Sequence, residues 1–212
     1  MTAAKLYRKI NNIIAIDAGT TKSGWVRVTD DKDLKPIEYG FWQNEELEYL
    51  IQDTNNEIYH PYKLTVVLED IQSYGMPVGI DVFETVKWLG ELRHYCKSEL
   101  IDYVFIKRSE VKNFLCKSNR ASDKNVRQAL IDYYGGNEKA IGGKKCVDCK
   151  GKGYTTRQRI KCVECEGSGY FTEKGVLHGI SGHVWSALGV AVTHYNLMRV
   201  KEATKLLQAA RK

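Results

Sequence analysis

One motif occurs twice in this chain and constrains it more than any other feature. Residues 146–154 read CVDCKGKGY and residues 162–170 read CVECEGSGY, which sets Cys146, Cys149, Cys162 and Cys165 in the pattern C-x2-C-x12-C-x2-C. Two thiolates separated by two residues reach one tetrahedral ion. The glycines that follow let the backbone turn so that its N–H groups face sulfur. Two such knuckles close a four-sulfur shell with no open position, which points to one structural Zn²⁺ and away from a catalytic one. A redox pair would not be repeated in this way. Cys96 and Cys116 stand alone, so the six cysteines are not a disulfide framework, and a reducing, cytoplasmic compartment is expected.

The knuckles mark residues 137–173 as a small zinc-binding insertion between 1–136 and 174–212. The flanking parts hold the apolar runs of one core, in a chain that is 43% hydrophobic and 27% charged. Apolar or alternating stretches at 13–17, 24–29, 37–42, 64–68 and 103–106 predict five strands. Helical spacing predicts helices over 45–52, with Asn44 as its N-cap, and over 81–96, with Val82, Val86, Leu89 and Leu92 along one side. Further helices are expected over 109–115, over 123–134 with Ser122 as its N-cap, and over 179–197 and 200–210. The order gives an α/β fold with a mixed five-stranded sheet flanked by helices. The longest apolar stretch, 184–193, is about half of the ~20 residues a membrane span needs. The N-terminal segment lacks a cleavage site. Neither a membrane partner nor secretion is expected.

Two acids stand where strands end. Asp17 closes the first strand and Glu69 the fourth, and in a sheet of this order those strands can be neighbours. Carboxylates gathered at strand ends suit hard divalent cations, and such a pair can serve a two-metal attack on a phosphodiester. The charge distribution agrees with a polyanionic partner. Residues 1–102 carry 11 basic and 17 acidic residues, whereas 103–212 carry 21 and 9. Between residues 139 and 161 there are eight basic residues and one acid. The tip of that hairpin offers Arg157, Arg159 and Tyr154 for phosphate contact and stacking. Residues 107–127 add seven basic residues, with Lys124 and Arg127 on one helical turn.

With these motifs in view, the chain resembles two known families in different parts. The CxxCxGxG repeat resembles half of the cysteine-rich domain of DnaJ chaperones; the motif occurs four times there and twice here, so one site is implied and no chaperone activity. The stretch Asp17-Ala18-Gly19 after an apolar strand, Leu68-Glu69, and GHVWSALGVAVTH in the last core helix resemble the RuvC branch of the RNase H-like superfamily. Among them, RuvC-like Holliday junction resolvases of phages are the nearest group, which would place the protein in the cytoplasm of a bacterial host. The resemblance spans about residues 12–135 and 175–197. It implies a DNA endonuclease that acts as a homodimer on branched DNA and makes paired nicks in four-way junctions, with Mg²⁺ or Mn²⁺ in a two-metal site. It assigns Asp17, Glu69 and His183 as catalytic metal ligands, with imidazole shifting preference toward Mn²⁺. Ser186 stands where the family often has an acid, so Ser186, Asp123 and Asp70 are the substitutes for a fourth ligand. By resemblance, Tyr74 lies in the loop that helps to open the junction, and the helix over 81–96 is the dimer face.

Other readings stay open on the sequence. A flap or fork nuclease would use the same site, and a degenerate protein could bind branched DNA without cutting it. Asp17-Ala18-Gly19-Thr20-Thr21 also looks like the first phosphate loop of the actin and sugar-kinase superfamily. That fold needs a second phosphate loop, absent from these 212 residues, so no nucleotide cofactor is expected.

Overall fold

The structure, a computed structural model, describes residues 11–58, 60–72, 75, 77–142, 145–155, 159–169 and 174–209. Tyr74 and Arg157 lie outside them. The chain divides into two units, one of Met1–Arg127 with Ile180–Lys212 and the other of Gln128–Gly179. The second is wider on both sides than the 137–173 segment that the cysteines mark.

In the first unit, strands β1 (Asn12–Asp17), β2 (Lys22–Thr29) and β3 (Pro36–Gln43) form an antiparallel meander. Helix α1 (Asn44–Glu57) leads to β4 (Leu64–Asp70), which returns parallel to β1. Helix α2 (Ile80–Ser98) then leads to β5 (Asp102–Lys107), parallel to β4. The result is a mixed sheet of order β3-β2-β1-β4-β5, followed by α3 (Arg108–Cys116), α4 (Asp123–Tyr133) and α6 (Val184–Ala209).

The two-residue period of the strands assigns each side chain to a face. Ile14, Ile16, Val66 and Leu68 pack with Leu47 and Ile51 of α1 and with Trp88, Leu89, Leu92 and Cys96 of α2. The alternate residues Ile13, Ala15, Val26, Val28 and Val67 are buried on the other face, and α6 packs against β1 and β2. Gly189 lets α6 approach α3: a Cβ there would stand 3.1 Å from a Val111 methyl.

Four expectations are corrected. The two C-terminal helices are one, because no glycine or proline interrupts α6 after Gly189. It starts at Val184 and not at 179, because Gly179 and Gly182 have φ of +91° and +52°, outside the helical region. His183 therefore precedes the helix. Asn44 is not the N-cap of α1: Gln43 is, its N–H donating to Glu46 at 3.0 Å, while the Asn44 side chain is buried elsewhere. The inner side of α2 is Thr85, Trp88, Leu89, Leu92 and Cys96, at i, i+3, i+4, i+7 and i+11, which leaves Val86 exposed beside Ile80 and Phe83. Ser122 behaves as expected, its hydroxyl accepting from the Asn125 N–H at 3.4 Å.

In the second unit, short α5 (Asn137–Ala140) precedes the knuckles. Between the knuckles, the Thr155 N–H donates to the Ile160 carbonyl at 3.1 Å and Tyr154 and Lys161 form an antiparallel bridge.

Candidate active site and metal centre

The carboxylate site follows from strand parity. Ile16 pairs with Leu68 across the parallel β1–β4 ladder, so the next residues, Asp17 and Glu69, leave the sheet side by side on the α6 face. Both line a cleft of about 520 Å³ with Arg108, Ser109, Lys112, Asn119 and Arg120. The turn after Asp17 is clamped from below. The Gly19 N–H donates to Ser23 Oγ at 3.2 Å, Ser23 donates to Asn44 Oδ1 at 2.7 Å, and the Asn44 amide donates to the Gly19 and Thr20 carbonyls at 3.1 and 3.2 Å. This network uses the Asn44 side chain that α1 does not need as a cap.

His183 reaches Asp17 from the turn before α6, its Nδ1 2.9 Å from Asp17 Oδ2; the His183 side chain is 65% exposed and that of Asp17 17%. Ser186 lines the neighbouring cleft with His183 and weakly opposes the rise that burial gives the Asp17 pKa. Glu69 turns the other way. Its Oε2 accepts from Arg108 at 3.3 Å, and the guanidinium also pairs with Asp123 at 2.5 Å. The structure thus brings Asp17 and His183 into direct contact, places Ser186 beside His183, and joins Asp123 to Glu69 through Arg108. Asp70 falls on the opposite strand parity, where it lines a cleft with Val86, Leu89 and Gly90 of α2 as well as the edge of the carboxylate cleft.

Burial and mutual repulsion leave these carboxylates short of positive charge. Burial raises the Asp17 pKa against the opposing pull of His183, Arg108 and Ser186. Burial, and then the charge of Asp17, push Glu69 up to about 7, with Arg108 again opposing. A divalent cation supplies the charge such a pair lacks. Oxygen donors with one imidazole suit Mg²⁺ or Mn²⁺. The 2.9 Å between Asp17 Oδ2 and His183 Nδ1 also matches adjacent positions on an octahedral ion with bonds of about 2.1 Å, for which the geometry gives ~3.0 Å. That spacing would suit an ion once the proton shared by Asp17 and His183 is lost, and Glu69, paired with Arg108, would have to turn to join them.

A second cleft, of about 350 Å³, contains Lys124, Arg127, Arg108, Asp123, His183, Trp185 and Ser186. The Arg127 guanidinium lies 4.9 Å from the centre of the Trp185 ring. Arg108 was missed by sequence reasoning. The available signal was its place as the first residue after a strand that runs beside Glu69, since Glu69 pairs with Ile106.

In the second unit the four cysteine sulfurs lie within 4.8 Å of one another, the one such donor group of three or more among the described residues. Cys146 and Cys162 Sγ are 3.8 Å apart, and Cys149 and Cys165 Sγ 3.7 Å. A regular tetrahedron with Zn–S bonds of about 2.3 Å has edges of ~3.8 Å. The repeat is a structural pseudo-dyad. The Gly153 N–H donates to Cys149 Sγ at 3.2 Å and the Gly169 N–H to Cys165 Sγ at 3.3 Å. A Cβ on Gly153 would meet the Gly167 carbonyl at 2.4 Å, and one on Gly169 would meet that of Gly151 at 2.5 Å. Each glycine is therefore required by the other knuckle. Arg159 lies over the Tyr154 ring at 5.7 Å.

No family model matches the sequence, and no curated protein sequence matches it. Among solved structures, Thermus thermophilus RuvC superposes with a TM-score of 0.53 at 15% identity, over 90% of this chain and 96% of that one. Thermus thermophilus RuvC in complex with Holliday junction substrate gives a TM-score of 0.55 at 12% identity, over the same shares of the two chains. The fold of this chain is thus that of RuvC, an RNase H-like mixed five-stranded sheet flanked by helices.

Proposed function

We propose that the chain is a divalent-metal-dependent endonuclease that resolves four-way DNA junctions by paired nicks. The observation that carries this reading is the pair Asp17 and Glu69, side by side at adjacent strand ends in one cleft of a RuvC fold. Asp17, Glu69 and His183 would hold the ions. The chemistry that bound Mg²⁺ or Mn²⁺ supplies to such a site is activation of water and neutralisation of the leaving 3′ oxygen. The chain's own residues prepare for it. The Asn44 clamp fixes the turn after Asp17. Ser186, beside His183 in the second cleft, would present its hydroxyl toward the same site. Arg108 pairs with Glu69 and with Asp123; a cation taken up by Glu69 would free one side of the guanidinium for a phosphate while Asp123 anchors the other. Lys112 and Arg120 in one cleft, and Lys124 and Arg127 in the other, suit the DNA backbone on either side of the cut.

The four cysteines would hold one structural Zn²⁺, and Arg159 on the hairpin they fix would contact phosphate. Ile80, Phe83 and Val86, exposed on the outer side of α2, suit a twofold homodimer contact, which paired nicks require. Free thiols in this number fit a reducing cytoplasm.

The test is cleavage of a labelled synthetic four-way junction with Mg²⁺ and with Mn²⁺, beside linear duplex, flap and fork. Symmetric paired nicks in the junction are expected. Cutting of the flap or fork instead would replace the substrate, and tight junction binding without cutting in either metal would make the chain a branched-DNA binder.

A further inference from the structure

We infer that Phe41 is a positioning residue for His183, and that Phe41 and Gly24 together form the seat that aims the imidazole at the metal site. This rests on the nuclease reading of Asp17. In register, Asp17 pairs with Gly24 across β1 and β2, and Gly24 pairs with Phe41 across β2 and β3. The three residues form one row across the sheet, on the face that carries α6. The middle position has no side chain, and His183 occupies that space. A Cβ on Gly24 would stand 2.6 Å from both the carbonyl carbon and the Cβ of His183. The imidazole bridges the two ends of the row. Its Nδ1 meets Asp17 Oδ2 at 2.9 Å, and its face stacks on the Phe41 ring, with centroids 5.3 Å apart and planes 13° from parallel.

Burial cannot hold this histidine, because its side chain is 65% exposed. It also lies in a turn beside Gly182, whose φ is +52°. The contact with Asp17 fixes one ring atom and leaves the ring plane free to rotate. The Phe41 face removes that freedom, and it needs a flat ring to do so. Phe41 is itself 49% exposed on the edge strand, so it contributes little to the core. Its neighbour Trp42 belongs to the other face, edge-on to Trp25 at 4.7 Å. Hydrogen-bonded partners that orient a metal-ligating imidazole change affinity by about 10–100-fold when removed, and a stacked ring that fixes the same orientation is assigned the lower end of that range.

The experiment compares the whole 212-residue chain with Phe41→Leu, Phe41→Tyr, Gly24→Ala and His183→Asn. Three readouts are used: Mn²⁺ affinity by electron paramagnetic resonance without DNA, the His183 ring-proton shifts by NMR, and junction cleavage. Leucine keeps apolar bulk without a flat face. Phe41→Leu should weaken Mn²⁺ binding about 10-fold or more and move the His183 ring protons downfield as the ring-current shielding disappears. Phe41→Tyr should stay within about 3-fold of wild type and keep the shielding, and Gly24→Ala should behave like Phe41→Leu. The inference is overturned if Phe41→Leu binds Mn²⁺ as wild type does, if tyrosine rescues no better than leucine, or if His183→Asn leaves Mn²⁺ affinity unchanged. A wild-type protein that fails to cut any branched DNA would defeat the nuclease reading instead, while the affinity and NMR series still decides the role of Phe41.

Discussion

The two proposed metal sites pose opposite problems. The four-cysteine centre builds its site from residues at most 19 positions apart, and the two knuckles pack against each other at Gly153 and Gly169. The carboxylate site draws Asp17, Glu69 and His183 from three distant parts of the chain onto one face of a sheet whose buried core exists without them. On the proposed reading the ion organises the protein in the first case, and the protein organises the site in the second. Removing a ligand should therefore unfold one region and leave the other folded but inert.

The largest effect is expected where the ion is the organiser. Replacing Cys146 and Cys149 by Ser should abolish Zn²⁺ binding and unfold the second unit, since structural Zn²⁺ contributes about 10 kcal/mol or more to small domains. Metal analysis should fall from one zinc per chain to none, with the protease-resistant core reduced to the first unit. Next comes Asp17→Asn. It should lower junction cleavage about 10³-fold or more, in line with the loss of a group that acts directly at the reacting centre, with the thermal midpoint and junction binding unchanged. A fall in stability would show that the carboxylate belongs to the fold and would blur the contrast.

A smaller effect separates the sheet unit by pH. His194 is buried on α6. Burial, and then the charge of Lys201, lower its pKa from 6.5 to about 4. Between those values the unfolded chain binds the proton and the folded one does not, so stability is full above pH 6.5 and falls as pH drops toward 4. The loss is on the order of 2–3 kcal/mol. Chemical denaturation of the wild type beside His194→Gln at pH 7 and pH 4.5 isolates it as the difference between the two proteins, since the raised Glu69 carboxyl acts in the opposite sense in both. The smallest expected change is for Lys124→Ala, which should reduce the salt dependence of junction binding by about one phosphate contact and leave the fold untouched.

How much was legible in the sequence follows the same contrast. Local spacing announced the four cysteines, and both the sulfur cluster and its N–H···S bonds were readable from CxxCxGxG. The strand runs announced Asp17 and Glu69, because an apolar run that ends in an acid needs no partner to be recognised. Residues defined by cross-strand register were not legible. Gly24 and Phe41 matter because they fall in line with Asp17, and Arg108 because β5 runs beside Glu69; no short window contains those pairings. Asn44 misled for a related reason. It is a good cap by residue type, but the β1–β2 turn, 20 or more residues earlier, claims its side chain. His183 was placed inside a helix because its neighbours are apolar at helical spacing, whereas the positive φ of Gly182 holds it outside.

Anomalous diffraction from crystals grown with Mn²⁺ and Zn²⁺, collected at both absorption edges, tests the central claim most directly. The account predicts a manganese peak bonded to the carboxylates of Asp17 and Glu69, with Arg108 displaced from Glu69, and a separate zinc peak among the four cysteines. Glu69 still paired with Arg108 and no manganese at Asp17 would contradict it.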